Sequence, residues 1–95
     1  MKIFKLKEEL KSYLNSQAKD KITSFVPTMG ALHDGHLSLI LNAKKNSDLV
    51  ICSIFVNPTQ FNNLKDLEEY PRTPNRDIKA LSDINCDVVY LPEIS

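Results

Sequence analysis

The chain has 95 residues, 42% hydrophobic and 25% charged, with 12 Lys and Arg set against 12 Asp and Glu. This is the profile of one ordinary globular domain and excludes a disordered or collagen-like chain. The neutral balance and a pI near 6.7 exclude a general electrostatic grip on nucleic acid or an anionic membrane.

Met1 to Leu10 alternates charged with apolar residues and lacks both a signal-peptide core and the span of a transmembrane helix, so the protein is expected in the cytoplasm. A short strand is expected over Lys2 to Phe4. Leu6, Leu10, Tyr13, Leu14 and Ala18 then recur at helical spacing between lysines and glutamates, which predicts an amphipathic helix. Lys21 to Val26 reads as a strand through Ile22, Phe25 and Val26, and Pro27, lacking an N–H, is expected to stop it. A loop follows over Pro27 to Asp34. From Gly35 to Asn46, Leu37, Ile40 and Leu41 keep a helical period, with Lys44 and Lys45 in the last turn, where cations suit the dipole.

Leu49 to Val56 is an almost unbroken apolar run rich in β-branched residues, the mark of a parallel strand covered on both faces. Asn57-Pro58 ends it. A short helical turn is expected around Leu64 to Glu69. Thr73 then serves as an N-cap before Pro74 at the first helical position, with Ile78, Leu81 and Ile84 facing inward. Asp87 to Leu91 is a further apolar strand, closed by Pro92. The alternation of strands and helices predicts an α/β fold, an open parallel Rossmann-like sheet with flanking helices. Cys52 and Cys86 show no C-x-x-C spacing and read as free thiols of a reducing compartment.

Both glycines and both histidines of the chain, Gly30, His33, Gly35 and His36, fall between Met29 and His36. A strand, a tight loop and a helix start place outward-pointing N–H groups where an anion can bind. Glycines there let the backbone approach a phosphate. Histidines three apart at the helix start share a face and can donate to phosphate oxygens as charge builds on them. Turn glycines with capping histidines are the bland alternative. A zinc-binding pair is another, and it lacks a third ligand nearby. No metal site is assigned.

His33-Asp-Gly-His36, directly after a strand and opening a helix, is the H-x-G-H pattern of the nucleotidylyltransferase superfamily. Three longer blocks are more specific: Val26 to Ile40 (VPTMGALHDGHLSLI), Ser53 to Phe61 (SIFVNPTQF) and Tyr70 to Thr73 (YPRT). In order and spacing they resemble the pantothenate synthetases (pantoate–β-alanine ligases). The resemblance implies an incomplete nucleotidylyltransferase domain, with ATP and pantoate giving a pantoyl adenylate and pyrophosphate, and β-alanine then giving pantothenate and AMP. It implies ATP binding by Met29, Gly30, Ala31, Leu32, His33, Asp34, Gly35 and His36, with His33 and His36 catalytic and His36 the proton donor, a role that suits an imidazolium. It also implies contacts of Gln60, Asn57 and Tyr70 with pantoate and β-alanine, and magnesium (Mg2+) as a cofactor. Some relatives place acidic residues for magnesium after the Tyr70 to Thr73 block; here only Asp77 is retained, beside Arg76. Family members continue with further strands, a second ATP-contacting segment and a C-terminal lid domain, so the chain alone is expected to be inactive. A bare strand edge predicts self-association, with a homodimer as the expected form. The alternatives are a non-catalytic nucleotide-binding module and another H-x-G-H nucleotidylyltransferase.

Overall fold

The structure is a computed structural model that describes residues 1–17, 19–56, 63, 65, 68 and 73–92. Its elements run β1 (Lys2–Phe4), α1 (Lys7–Asn15), β2 (Thr23–Thr28), α2 (Asp34–Asn46), β3 (Leu49–Ile54), α3 (Pro74–Asp83) and β4 (Val88–Tyr90). The turn expected around Leu64 to Glu69 falls on a segment of which only Lys65 and Glu68 are described.

All strand pairs are parallel, in the order β1-β4-β3-β2, with Ile51 opposite both Phe25 and Val88 and with Lys2 opposite Val88. The α/β parallel sheet read from the sequence is therefore present. β3 lies inside the sheet, and its side chains alternate between two cores as the pleat requires. Val50 and Cys52 join Leu32, Ile40, Leu81, Cys86 and Val89 on one face. Leu49 and Ile51 join Leu10 and Val88 on the other, with Phe4, Tyr13 and Leu14 packed against them. Continuous burial from Leu49 to Ser53 follows from having helices on both sides.

One expectation is corrected. Pro27 does not stop β2, which continues to Thr28 with Pro27 in register with Ser53. The carbonyls of Ile22 and Thr28 accept from Leu49 and Phe55 of the β3 segment. By two-residue alternation, Pro27 turns its missing N–H to the outer edge of β2, which is unpaired among the described residues and tolerates proline. Thr73 is the N-cap residue of α3 with Pro74 following it, as expected, although its hydroxyl makes no capping bond to the backbone and turns to the carboxylate of Asp77.

α3 ends in a Schellman turn. Asn85 takes a left-handed φ of 58°, its N–H donates to the carbonyl of Ser82, and that of Cys86 donates to Leu81. This turn delivers the chain into β4 with Leu81 and Cys86 both buried. No helix among the described residues is long and apolar enough to cross a membrane.

Candidate active site

The carboxyl ends of β2, β3 and β4 and the first turn of α3 enclose a cleft of about 440 Å³. Met29 and Gly30 line it after β2, Ile54, Phe55 and Val56 after β3, Thr73, Pro74 and Asp77 at the start of α3, and Leu91 and Pro92 after β4. Ligand sites of open parallel sheets form at this end of the strands.

The loop after β2 is held by backbone hydrogen bonds at Gly30, Ala31 and Leu32. The hydroxyl of buried Thr28 donates to the carbonyl of Ser53 (2.9 Å) and accepts the N–H of Gly30 (3.3 Å). Gly30 has φ 84° and Ala31 φ 51°, two left-handed residues in succession. Their turn aims the N–H of Ala31 at Oδ2 of Asp77 (3.0 Å) and that of Leu32 at Oδ1 (2.9 Å). Asp77 is only 2% exposed. Successive N–H groups converging on one anion form a concavity of the kind that binds phosphate, yet here the occupant is the chain's own carboxylate. The sequence singled out Asp77 only as a remnant of a magnesium cluster. Its partners lie 45 and 46 residues away, a separation that no motif spacing reports.

His33 and His36 cap the start of α2 reciprocally. The ring of His33, the N-cap residue, accepts the N–H of Gly35 at Nδ1 (3.0 Å), and Nδ1 of His36 accepts the N–H of His33 (3.1 Å). This is a capping box in which imidazoles replace the usual hydroxyl and carboxylate. The ring centroids are 4.0 Å apart. A nitrogen that accepts must keep its lone pair, so each neutral ring carries its proton on Nε2. Burial holds the pKa of His36 below the ordinary 6.5, and proximity to His33 adds to the effect; the charge of Asp77 opposes it. In its neutral form the His36 ring therefore offers Nε2–H as its donor. Neither ring lines the cleft, to which their loop contributes Met29 and Gly30. Asp34 is exposed in the first turn of α2, where its charge suits the dipole.

Asn57, Gln60 and Tyr70 lie outside the described residues. Among the described residues no three His, Cys, Asp or Glu side chains group to hold a metal ion, and both oxygens of Asp77 are already engaged by backbone N–H groups. The donor set thus does not fit a magnesium ion held by the protein in the described region.

Residues 2–95 match the family model described as Pantoate-beta-alanine ligase. Pantothenate synthetase of Acinetobacter baumannii is 51% identical over 79 residues, covering 83% of this chain and 28% of its own length. That of Porphyromonas gingivalis is 46% identical over 95 residues, 99% of this chain and 34% of its own. The pantoate-beta-alanine ligase of Francisella tularensis, solved in complex with beta-gamma ATP and beta-alanine, superposes with a TM-score of 0.93 at 49% identity over 97% of this chain and 35% of that one. Pantothenate synthetase of Thermus thermophilus gives 0.87 at 35% identity over 98% of this chain and 32% of that one. The chain therefore spans about a third of the length of the relatives it matches. On the family match across residues 2–95, and with the parallel sheet and the doubly capped histidine loop in place, this chain belongs to the pantoate-beta-alanine ligase family.

Proposed function

We propose that this chain forms the ATP-facing wall of an enzyme that joins pantoate to β-alanine. In the reaction, a pantoate carboxylate oxygen attacks the α-phosphorus of ATP and pyrophosphate departs; the amine of β-alanine then attacks the acyl carbon, AMP leaves with the C–O bond electrons, and the amine gives up a proton. The observation that carries this reading is the reciprocal capping of α2 by His33 and His36. It fixes two Nε2–H donors on rings 4.0 Å apart, centroid to centroid, at a helix N-terminus. Fixed donors at such a terminus stabilise charge that grows on phosphate oxygens without reorganising. Met29 to His36 supplies the ATP contacts, with His33 and His36 as the catalytic pair. Gln60, Asn57 and Tyr70 are assigned to pantoate and β-alanine on the strength of the sequence resemblance. An amide such as Gln60 can both accept from a hydroxyl and donate to a carboxylate without competing as a nucleophile.

The proposal includes a cytoplasmic setting, which buried free thiols suit, and a homodimer, to which the outer edge of β2, unpaired among the described residues, and the 55% exposure of Phe25 lend support. A monomer by light scattering at high concentration would overturn the dimer. The isolated chain is proposed to lack turnover, because in-line attack needs both reactants held close and this segment builds one wall of the site.

Calorimetry on the chain tests the site. ATP is expected to bind, and His33→Asn with His36→Gln, which keep acceptors for the capping box, should weaken it by at least about tenfold, or about 1.4 kcal/mol. Unchanged ATP affinity in the double variant removes the histidines from the site. Pantoate-dependent AMP release by the isolated chain at an enzyme-like rate overturns the proposed lack of turnover.

A further inference from the structure

Asp77 is a buried carboxylate to which the proposed chemistry gives no role. Its surroundings are unusual for a charged group: 2% exposed, with the only described cation on its own first turn, Arg76, exposed. No salt bridge to it is found among the described residues. Three donors satisfy it instead, the N–H groups of Ala31 and Leu32 and, at 3.4 Å, the hydroxyl of Thr73. Those two backbone N–H groups belong to the turn in which Gly30 and Ala31 are left-handed. For Ala31 that conformation is unfavourable and persists only where the surroundings over-determine it.

We propose that Asp77 is a positioning residue for the histidine loop: its carboxylate fills the anion-binding concavity of Ala31 and Leu32, locks the left-handed turn, and so sets where His33 enters α2. The argument rests on three linked observations. The loop N–H groups that could hold an external phosphate are occupied by an internal anion. The next residue after Leu32 is His33, whose N–H must meet Nδ1 of His36 for the capping box to close. The carboxylate arrives from the first turn of α3, so that helix and the histidine loop are tied together at the mouth of the cleft. Within the Met29 to His36 segment a phosphate is thereby directed to the histidine side, the Ala31 and Leu32 amides being already occupied. This inference rests on the assignment of His33 and His36 to ATP for its functional meaning, but its test does not use ATP.

Amide hydrogen exchange and histidine-ring nitrogen spectra on the full 95-residue chain provide that test. In the unsubstituted protein, the Ala31 and Leu32 amides should be protected although they lie in a loop, and the His36 ring should show a single Nε2–H tautomer. Asp77→Asn turns one acceptor into a donor facing a backbone N–H. It should raise exchange at both amides by at least about tenfold and mix the His36 tautomers, while α1 amides stay as they were. Asp77→Glu keeps both acceptors and should recover part of the protection and the single tautomer, which a merely space-filling role would not favour. Ala31 and Leu32 amides that exchange as fast as exposed loop amides in the unsubstituted protein overturn the proposal, even if Asp77→Asn does not fold. So does an Asp77→Asn protein with unchanged amides and ring spectra. Failure of the unsubstituted chain to bind ATP would count against the proposed function alone and leave these readouts standing.

Discussion

Nδ1 of His36 accepts the backbone N–H of His33 at 3.1 Å while the ring of His33 closes over Gly35, so one pair of side chains both ends the loop and faces outward with its remaining nitrogens. Capping and ligand chemistry therefore share the same two rings, and substitutions can separate them. His33→Asn keeps a good N-cap acceptor and should hold stability within about 0.5 kcal/mol, whereas His33→Ala should lose about 1 kcal/mol. Both should weaken ATP binding alike, as urea midpoints and calorimetry on the same proteins would show. If Asn restores ATP affinity along with stability, His33 is a cap and nothing more.

Stability should depend on pH through His36. Its folded pKa lies below the ordinary 6.5, from burial and then from His33, so the unfolded chain binds a proton first as the pH falls. The contribution is whole above about 6.5 and is lost as pH drops through the lowered folded value. Denaturant midpoints should therefore fall across this window. His36→Gln keeps the capping box, because glutamine suits the third helical position, and removes the titration. Its midpoint should change less between neutral and mildly acidic pH than that of the unsubstituted protein; equal slopes would exclude His36 as the source.

How far this structure could be read in advance depended on how local its causes are. The run Leu49 to Val56 announced a strand buried on both faces because each of its residues has the same kind of neighbour, and β3 duly divides Val50 and Cys52 from Leu49 and Ile51. The histidine loop was legible for a similar reason: strand, glycine and helix start lie within a few residues. The tie from Asp77 to Ala31 and Leu32 was not legible, since it depends on two crossovers bringing α3 beside the end of β2. The outward turn of Pro27 was missed because only the strand order reveals that β2 has a free outer edge in the described sheet. Thr73 was legible as the N-cap of α3, but the partner of its hydroxyl was not, since the proton goes to the buried carboxylate of Asp77.

The two thiols should be inert in the folded protein. Cys52 is fully buried, and burial, with the neighbouring Cys86 next in weight, pushes its pKa up to about 12. Burial raises that of Cys86 as well. Only the thiolate attacks a disulfide reagent, so both should resist labelling near pH 8 and react together when denaturant opens the sheet. Rapid labelling of either without denaturant would show that the core around β3 opens locally.

The two glycines of the loop should fail in different ways when a methyl group is added. At Gly30 the φ of 84° is itself unfavourable for alanine, and its Cβ would meet Ile54 Cγ2 at 3.1 Å and Asp77 Oδ2 at 3.3 Å. Backbone strain and a crowded, buried carboxylate leave no inexpensive escape, and Gly30→Ala should lose about 1–3 kcal/mol. At Gly35 the Cβ would meet only the ring of His33, at 2.8 Å from Cε1 and 3.1 Å from Nδ1. That ring is exposed and can swing away, which forfeits the hydrogen bond from Gly35, while alanine gains about 1 kcal/mol of helix propensity over glycine. The terms nearly cancel, so Gly35→Ala should fold with almost unchanged stability yet present a displaced His33 ring. A Gly35→Ala protein with normal urea midpoint and ATP binding weakened several-fold is the expected pairing. Intact binding would show that the placement of the His33 ring does not matter to the ligand, and a large loss of stability would show that the ring cannot leave.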